Sequence, residues 1–233
     1  MSARRGFTLI ELLVVISIIA ILMSLLMGAL GHVRTLGDNL TCQSNLRQYA
    51  MAGDMYATDH NDILPHSFRW LFLSGQRAGI YDPNRIPDGH LWPYLEHQEV
   101  HMCPVFERVT EENIRYAYVQ NAYVGGDGFQ RARRRSEVET SAETVFYTEE
   151  NTWVVPGLYT VRRNDTNVRT GEGHEALDGF ATYHMSDDVN AGQANAAFID
   201  GHVGWIEAEE QVNNGAFPYL WPRRELPEHY PYR

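Results

Sequence analysis

The chain opens with a long apolar run that differs sharply from everything after it. Within residues 7–31 the only charged side chain is Glu11, and residues 9–30 are almost purely aliphatic. As a helix rising 1.5 Å per residue, this run would be about 33 Å long, against about 30 Å for the hydrocarbon core of a bilayer. Because Arg4 and Arg5 precede it, the positive-inside rule predicts one membrane span with a cytoplasmic N-terminus and an exported remainder.

Beyond residue 31 the pattern changes to that of an amphipathic helix. The residues concerned are Val33, Leu36 and Leu40, followed by Cys42, Leu46, Tyr49, Gly53 and Tyr56. From Cys42 onward the steps are four, three, four and three residues, which places these five side chains in one stripe on a helical face. We therefore predict one helix over residues 7–57, whose second half packs onto the rest of the protein. The turn-forming residues 59–62 and the following Pro65 end it.

The remaining residues, 58–233, carry short strand-like runs typical of a globular head. Residues 144–148 are β-branched and aromatic, and residues 115–119 form a second run. Two further runs flank Asp200-Gly201, a dipeptide that favours a two-residue type I′ hairpin turn. Residues 162–179 are polar and predict an exposed loop. Because the strands follow the helix as a group, we predict an α+β fold with the helix on an antiparallel sheet.

Charge limits the choice of partners. The net charge of −11 over 233 residues excludes a nucleic acid partner, since phosphate binding needs a basic surface. A composition of 44% hydrophobic and 21% charged residues is that of a folded protein. The domains we predict are a leader over residues 1–6, the helix over 7–57 and a head over 58–233.

Two cysteines, Cys42 and Cys103, fall on the predicted exported side. There a disulfide can persist, and it would tie the helix to the head. Two buried free thiols are the other interpretation, because cysteine is commonly buried in any case. The sequence leaves both open.

Four residues of the head are candidates for a polar or metal-binding cluster: Glu149, His184, Asp200 and His202. If their strands are neighbours, two imidazoles and two carboxylates would converge and would suit zinc or manganese. Each residue also has a local explanation, such as turn formation by Asp200. No nucleophile elbow, phosphate loop or zinc-protease motif occurs in the sequence. The sequence therefore predicts no catalytic residue, no cofactor and no enzymatic activity.

Glu11 is unusual, because a carboxylate inside a membrane helix costs about 2.5–3.5 kcal/mol at the bilayer centre and less near an end. A cut after Gly6 would give Phe7 a free ammonium group one helical turn from Glu11. The same carboxylate could also meet the ammonium group of a neighbouring copy. Either pairing accounts for a lone acid at this depth.

Residues 4–11 read Arg-Arg-Gly-Phe-Thr-Leu-Ile-Glu, ahead of an apolar helix. This segment resembles the processing signature of type IV prepilins and type II secretion pseudopilins. The resemblance implies that prepilin peptidase cuts after Gly6 and methylates the amine of Phe7. It also implies that Glu11 pairs with a neighbour's N-terminus during assembly. An ordinary signal peptide cleaved near residue 31 is the alternative, but its apolar core would be too long and would contain an acid.

A second resemblance covers the C-terminal half, to prepilin-like proteins with the prepilin-type processing-associated H-X9-DG domain. Its closing motif is matched by Phe-Ile-Asp-Gly-His-Val at residues 198–203. Residues 42–48, 102–104, 136–138 and 144–147 also look like that group. One departure concerns His184, because fifteen residues instead of nine separate it from Asp200-Gly201.

These observations favour a pilin-like or pseudopilin structural subunit. Its expected partners are prepilin peptidase, other pilin-like subunits and inner-membrane lipid. We expect a single-pass inner-membrane protein with a periplasmic or extracytoplasmic head. The alternative is a membrane-tethered exported binding protein or metal-dependent hydrolase that uses the helix as an anchor.

Overall fold

The computed structural model describes residues 8–71, 83–111, 116–126, 132–153, 155, 167–168, 179–207 and 217–223. The chain divides into two compact units, residues 1–38 and 39–233. Gly6 and Phe7, on which the processing prediction depends, lie outside the described residues.

A single helix, α1, spans Leu9–Asp59 and contributes to both units. The prediction of 7–57 is therefore close at both ends. Among the described residues, α1 is the one helix long and apolar enough to cross a membrane. The hydroxyl of Ser17 donates to the carbonyl oxygen of Leu13 at 2.8 Å, and that of Ser24 to Ile21 at 2.8 Å. Both serines thus satisfy their own hydrogen bonds within the helix, as a lipid environment requires.

The end of α1 is fixed by backbone conformation and by side-chain hydrogen bonds. Asn61 and Asp62 have positive φ angles of 55° and 68°, which stop the helix. The Asp62 carboxylate accepts the backbone N–H of Ser136 at 3.0 Å and Nε of Arg135 at 3.2 Å. Hydrogen bonds from Ser136, with the nearby Arg135 charge, lower the pKa of Asp62. The ionised carboxylate of Asp62 therefore holds the turn after α1 against residues 135–136 of the head.

The head contains a five-stranded sheet in the order β3-β1-β2-β4-β5. The strands are β1 Tyr118–Asn121, β2 Val145–Glu149, β3 Asn167–Val168, β4 Gln193–Phe198 and β5 Val203–Glu207. All pairs are antiparallel except β1 with β3, which is parallel. Two short helices, α2 Pro104–Val109 and α3 Phe217–Leu220, and four 3₁₀ turns complete the described elements: Pro83–Asp88, Trp92–Tyr94, Gln98–His101 and Arg135–Glu137.

The predicted α+β class is confirmed: a long N-terminal apolar helix accompanies a mostly antiparallel sheet, the architecture of pilin-like proteins. One local prediction is wrong. Residues 167–168 were expected in an exposed loop, yet they form β3 and are buried. The hydrophobic pattern could not reveal this strand, because it is two residues long and one of them is asparagine.

Within the second unit, the predicted stripe of α1 packs onto the sheet. Cys42, Leu46 and Tyr49 are fully buried. The Tyr49 ring lies 5.3 Å, between centroids, from both Tyr118 on β1 and Tyr147 on β2. This confirms the contact between helix and antiparallel sheet that the spacing predicts.

The apolar residues that precede the stripe are not packed. Val33, Leu36 and Leu40 are exposed by 62%, 39% and 64%. The packed face therefore begins at Cys42, where the predicted stripe begins. Helical periodicity identifies an apolar face but carries no information on whether another surface covers it.

The Asp200-Gly201 dipeptide lies in the β4–β5 hairpin, although the turn type differs from the prediction. Gly201 donates its N–H to the Phe198 carbonyl at 2.9 Å, and Phe198 donates to the His202 carbonyl at 3.0 Å. Only Gly201 has a positive φ, 90°, whereas a type I′ turn needs two such residues. The loop therefore has three residues with a bulge at Gly201, an arrangement that also suits the right-handed twist of the strands.

Candidate functional site

The N-terminal motif is described from Thr8 onward. The backbone N–H and the hydroxyl of Thr8 each donate to Oε2 of Glu11 at 2.8 Å, and the N–H of Glu11 points back to the Thr8 hydroxyl at 3.3 Å. This reciprocal pair is a capping box at the start of α1. The Thr-x-x-Glu spacing could have revealed it, and the sequence reasoning missed it. Glu11 therefore also stabilises the first turn of its own helix, where a carboxylate is favoured by the helix dipole.

A second candidate site lies in the interior of the head. The site contains four fully buried residues: Cys42 on α1, Cys103 just before α2, Glu149 at the end of β2, and His184, which forms an isolated bridge with Gln193 at the start of β4. Nε2 of His184 lies 2.9 Å from Oε1 of Glu149 and 3.5 Å from Sγ of Cys103. Four segments that are distant in sequence thus bring two sulfurs, an imidazole and a carboxylate together.

Backbone pairing positions His184. Its N–H donates to the carbonyl of Gln193 at 3.1 Å, and the N–H of Gln193 donates to the His184 carbonyl at 3.0 Å. The neighbouring Gly192 permits this approach, since a Cβ there would lie 2.8 Å from the Thr182 carbonyl oxygen and closer still to that of His184. Position 192 therefore requires glycine, because a Cβ atom would clash with these two carbonyl oxygens.

Glu149 is oriented by the adjacent strand. Its Oε2 accepts the backbone N–H of Asn195 on β4 at 2.9 Å, which leaves Oε1 directed at His184. The side chain of Asn195 in turn contacts α1, donating to Oδ1 of Asn39 at 2.9 Å and accepting from Gln43 at 3.1 Å. The carboxylate is thus held by the same residue that anchors the helix to the sheet.

Cys42 and Cys103 form a disulfide with a Cα–Cα distance of 5.1 Å. The sequence leaves open a disulfide or two buried free thiols, and the structure contains the disulfide. Beside it, Nδ2 of Asn45 donates to the Met102 carbonyl at 3.1 Å and to the Tyr118 hydroxyl at 3.2 Å. Burial, and then the negative charge of Glu149, raise the pKa of Tyr118 well above its ordinary value. Its hydroxyl is therefore a neutral hydrogen-bonding group beside the disulfide.

Asp200 and His202 do not join this site, so the predicted four-residue cluster is wrong as a set. Oδ1 of Asp200 accepts the backbone N–H of His202 at 3.1 Å and lies 2.7 Å from its Nδ1, and both residues are exposed at the hairpin. Phe198 stacks on the His202 ring with centroids 4.2 Å apart. The length of β4 separates this hairpin from His184, which pairs with Gln193 at the start of the strand. Five residue steps of a strand extend about 17 Å. Only Glu149 and His184 converge, and their companions are the two cysteines.

Comparison with known proteins identifies the N-terminal segment. Residues 1–27 match the model of the prokaryotic N-terminal methylation motif. No curated protein and no solved structure matches the chain. The motif implies processing by prepilin peptidase, and with the apolar helix behind it fits a membrane-anchored single-pass protein. The chain therefore carries the N-terminus of a type IV pilin-like or pseudopilin-like processed protein.

Proposed function

We propose that this chain is a pilin-like structural subunit, processed by prepilin peptidase and assembled into a type IV pilus or a type II secretion-like filament. Cleavage follows Gly6, and the new amine of Phe7 is methylated. The single observation that carries the proposal is the methylation motif over residues 1–27, which includes the first part of a membrane-length apolar helix. A simple membrane anchor needs the helix but not the motif.

Glu11 has a specific role in this proposal. After cleavage, the Phe7 ammonium group of the same or a neighbouring subunit becomes its charge partner. In the membrane, an unpaired terminus can stay near the headgroups at little cost. In a filament it is drawn among neighbouring helices, where breaking a buried pair costs about 3–5 kcal/mol. The carboxylate is thus needed for assembly more than for insertion.

The orientation follows from charge and redox chemistry. Arg4 and Arg5 lie before the helix and favour a cytoplasmic N-terminus. The Cys42–Cys103 disulfide lies on the other side of the apolar run, and disulfides persist in oxidising, extracytoplasmic compartments. Both features support a head on the exported side of the inner membrane.

The head itself is proposed to be of the H-X9-DG type. In its support, the Asp-Gly pair of the motif forms the bulged turn of the β4–β5 hairpin, and Asp200 hydrogen-bonds His202. The His184 position departs from the nine-residue spacing, and in the structure this residue pairs with Glu149 at the far end of β4. The motif residues around Asp200 therefore have a structural role that does not involve His184.

Filament incorporation of Glu11 variants tests the proposal. Glu11→Gln retains a capping-box acceptor, since glutamine also serves at this position, but removes the charge. Glu11→Val removes both, and Ser17→Val removes a polar group from the same helix without touching a charge. We expect Glu11→Gln and Glu11→Val to enter the membrane normally but to lose filament incorporation, by at least about 100-fold for a cost of 3 kcal/mol. Ser17→Val should assemble as wild type does.

Sheared filament and membrane fractions, compared by quantitative immunoblotting, distinguish the outcomes. Normal assembly of Glu11→Gln with loss in Glu11→Val would assign Glu11 to helix capping alone. If the wild-type chain is processed but no filament contains it, the structural-subunit proposal fails. The alternative of a tethered exported binding protein or hydrolase would then take its place.

A further inference from the structure

The interior of the head holds a complete set of metal-ligating atoms. One ligand atom from each of Cys42, Cys103, Glu149 and His184 lies within 4.8 Å of the others, and all four residues are fully buried. A disulfide does not need a histidine and a carboxylate beside it. Burying two ionisable groups together is costly, and such a pair is often replaceable by apolar residues without loss of stability. The cluster therefore calls for a function beyond the disulfide.

One of the distances matches a tetrahedral zinc site, and the other two would have to lengthen. With Zn–S of about 2.3 Å and Zn–N of about 2.1 Å, tetrahedral angles separate sulfur and nitrogen by about 3.6 Å. Sγ of Cys103 and Nε2 of His184 lie 3.5 Å apart. The 2.9 Å between Nε2 and Oε1 of Glu149 would need to open to about 3.4 Å. The two sulfurs would separate from about 2 Å to about 3.8 Å, the largest adjustment required.

We propose that, when the disulfide is absent, Cys42, Cys103, Glu149 and His184 bind one divalent cation of the zinc class. The disulfide and the metal are then alternative states of one site. Two sulfurs, one imidazole and one carboxylate are a typical borderline-soft donor set for Zn²⁺. Because all four protein ligands are buried and none leaves an open position, the site is structural and not catalytic.

The carboxylate of Glu149 is already oriented by a backbone group of the neighbouring strand. Asn195 donates its backbone N–H to Oε2 of Glu149, so Oε1 remains for the metal. Outer-shell partners of this kind fix the orientation of ligands. In charge terms, two thiolates and a carboxylate carry three negative charges, and Zn²⁺ offsets two of them.

The thiol state that metal binding needs arises without a reductant during biosynthesis. The chain is made in the reducing cytoplasm and meets oxidants only after export. Zinc binding by two thiols releases two protons and forms two Zn–S bonds. Later disulfide formation passes two electrons from the thiolates to a protein or small-molecule disulfide of the exported compartment, which takes up two protons to become two thiols, and the zinc ion is released. Either state would join α1 to the segment before α2, while the metal would additionally bind β2 and the segment before β4.

Cobalt titration of the reduced full-length chain in detergent tests the proposal. A water-soluble phosphine reduces the disulfide: water supplies oxygen to phosphorus and a hydrogen to each sulfur. After anaerobic removal of the phosphine, Co²⁺ is added and followed by absorption. We expect one Co²⁺ per chain, a near-ultraviolet thiolate-to-cobalt charge-transfer band and visible bands of tetrahedral Co²⁺, all lost on adding Zn²⁺. The oxidised chain should give none of these.

Two histidine variants provide the matched comparison. His184→Gln should weaken Co²⁺ binding by more than the roughly 10–100-fold that loss of an outer-shell partner costs. His202→Gln alters an exposed histidine that also contacts a carboxylate, and it should bind as wild type does. The proposal is overturned if the reduced wild-type chain gives no charge-transfer band, whether or not it stays folded. It is also overturned if oxidised and reduced chains bind equally, or if His202→Gln matches His184→Gln. None of these outcomes depends on filament assembly.

Discussion

His101 shows at the scale of one residue how burial fixes a chemical state. Its ring is 2% exposed, and its Nδ1 contacts the hydroxyl of Tyr49 on α1. The ring of Trp92 stacks on it, with ring centroids 6.1 Å apart. Burial lowers the pKa of His101 from 6.5 to about 4. At neutral pH the ring is therefore uncharged and can accept the tyrosine hydrogen bond that links the helix to the head.

This shift predicts a loss of stability in mild acid. Between pH 6.5 and about 4 the unfolded chain binds a proton at His101 that the folded chain does not. The free energy of unfolding should therefore fall with falling pH, by about 1.4 kcal/mol per pH unit and about 3 kcal/mol over the interval. His101→Gln, which cannot titrate, lacks this contribution.

Urea unfolding of the detergent-solubilised chain at several pH values measures the effect. The difference in unfolding free energy between wild type and His101→Gln should shrink as the pH is lowered from neutral to about 4. Parallel pH profiles for the two proteins would contradict the assignment, since other titrating groups affect both alike.

Among the elements, the contact of α1 with the sheet depends on one small residue. A Cβ added to Gly53 would lie 2.7 Å from Cζ of Phe146 and 3.2 Å from the Tyr147 hydroxyl. Phe146 is 2% exposed and its ring packs on Tyr147 with centroids 4.2 Å apart, so it has little room to move. The helix can approach β2 this closely because position 53 has no side chain.

Gly53→Ala should therefore destabilise the protein although alanine favours helix. Overpacking typically costs about 1–3 kcal/mol against a gain of about 1 kcal/mol from helix propensity, so the net destabilisation is up to about 2 kcal/mol. Gly37→Ala on the same helix is the control, because its Cβ would meet nothing within 4 Å. It should stabilise by up to about 1 kcal/mol. The free energy of unfolding of both variants, measured by chemical denaturation, tests this prediction. Equal stabilisation by the two substitutions would contradict the close approach of α1 to β2.

The elements differ in how far the sequence predicts them. α1 and its packed face were predictable, because the period of Cys42, Leu46, Tyr49 and Gly53 is a local signal. β2 and the β4–β5 hairpin carry similar local signals. β3 does not, since its two residues are held by pairing with β1 and not by any pattern of their own.

The buried site illustrates the limit of such reasoning more clearly. Residue type and position at strand ends predict Glu149 and His184 as site residues, but the prediction groups them with Asp200 and His202 at the hairpin turn. The actual partners, Cys42 and Cys103, come from α1 and from the segment before α2. Strand register and helix docking bring these segments together, and neither can be derived from composition or spacing. His184 lies beside the start of β4, whereas Asp200 and His202 lie beyond its end, at the hairpin.

At the scale of the whole molecule, the chain combines a membrane-length helix with a head suited to an oxidising compartment. The disulfide closes a loop with a sequence separation of 61 residues. On the chain-entropy model, a loop of that length stabilises by about 4 kcal/mol. The disulfide and the N-terminal motif therefore both support the proposal of a processed, membrane-anchored protein whose head is exported.

The central claim is that prepilin peptidase converts this chain into its mature form, and mass spectrometry of the N-terminus of the membrane-purified protein tests it most directly. We predict that the first residue is Phe7 and that its amine carries a methyl group, whereas the chain from cells lacking the peptidase retains residues 1–6. An N-terminus near His32, or an intact leader in cells with active peptidase, would contradict the account.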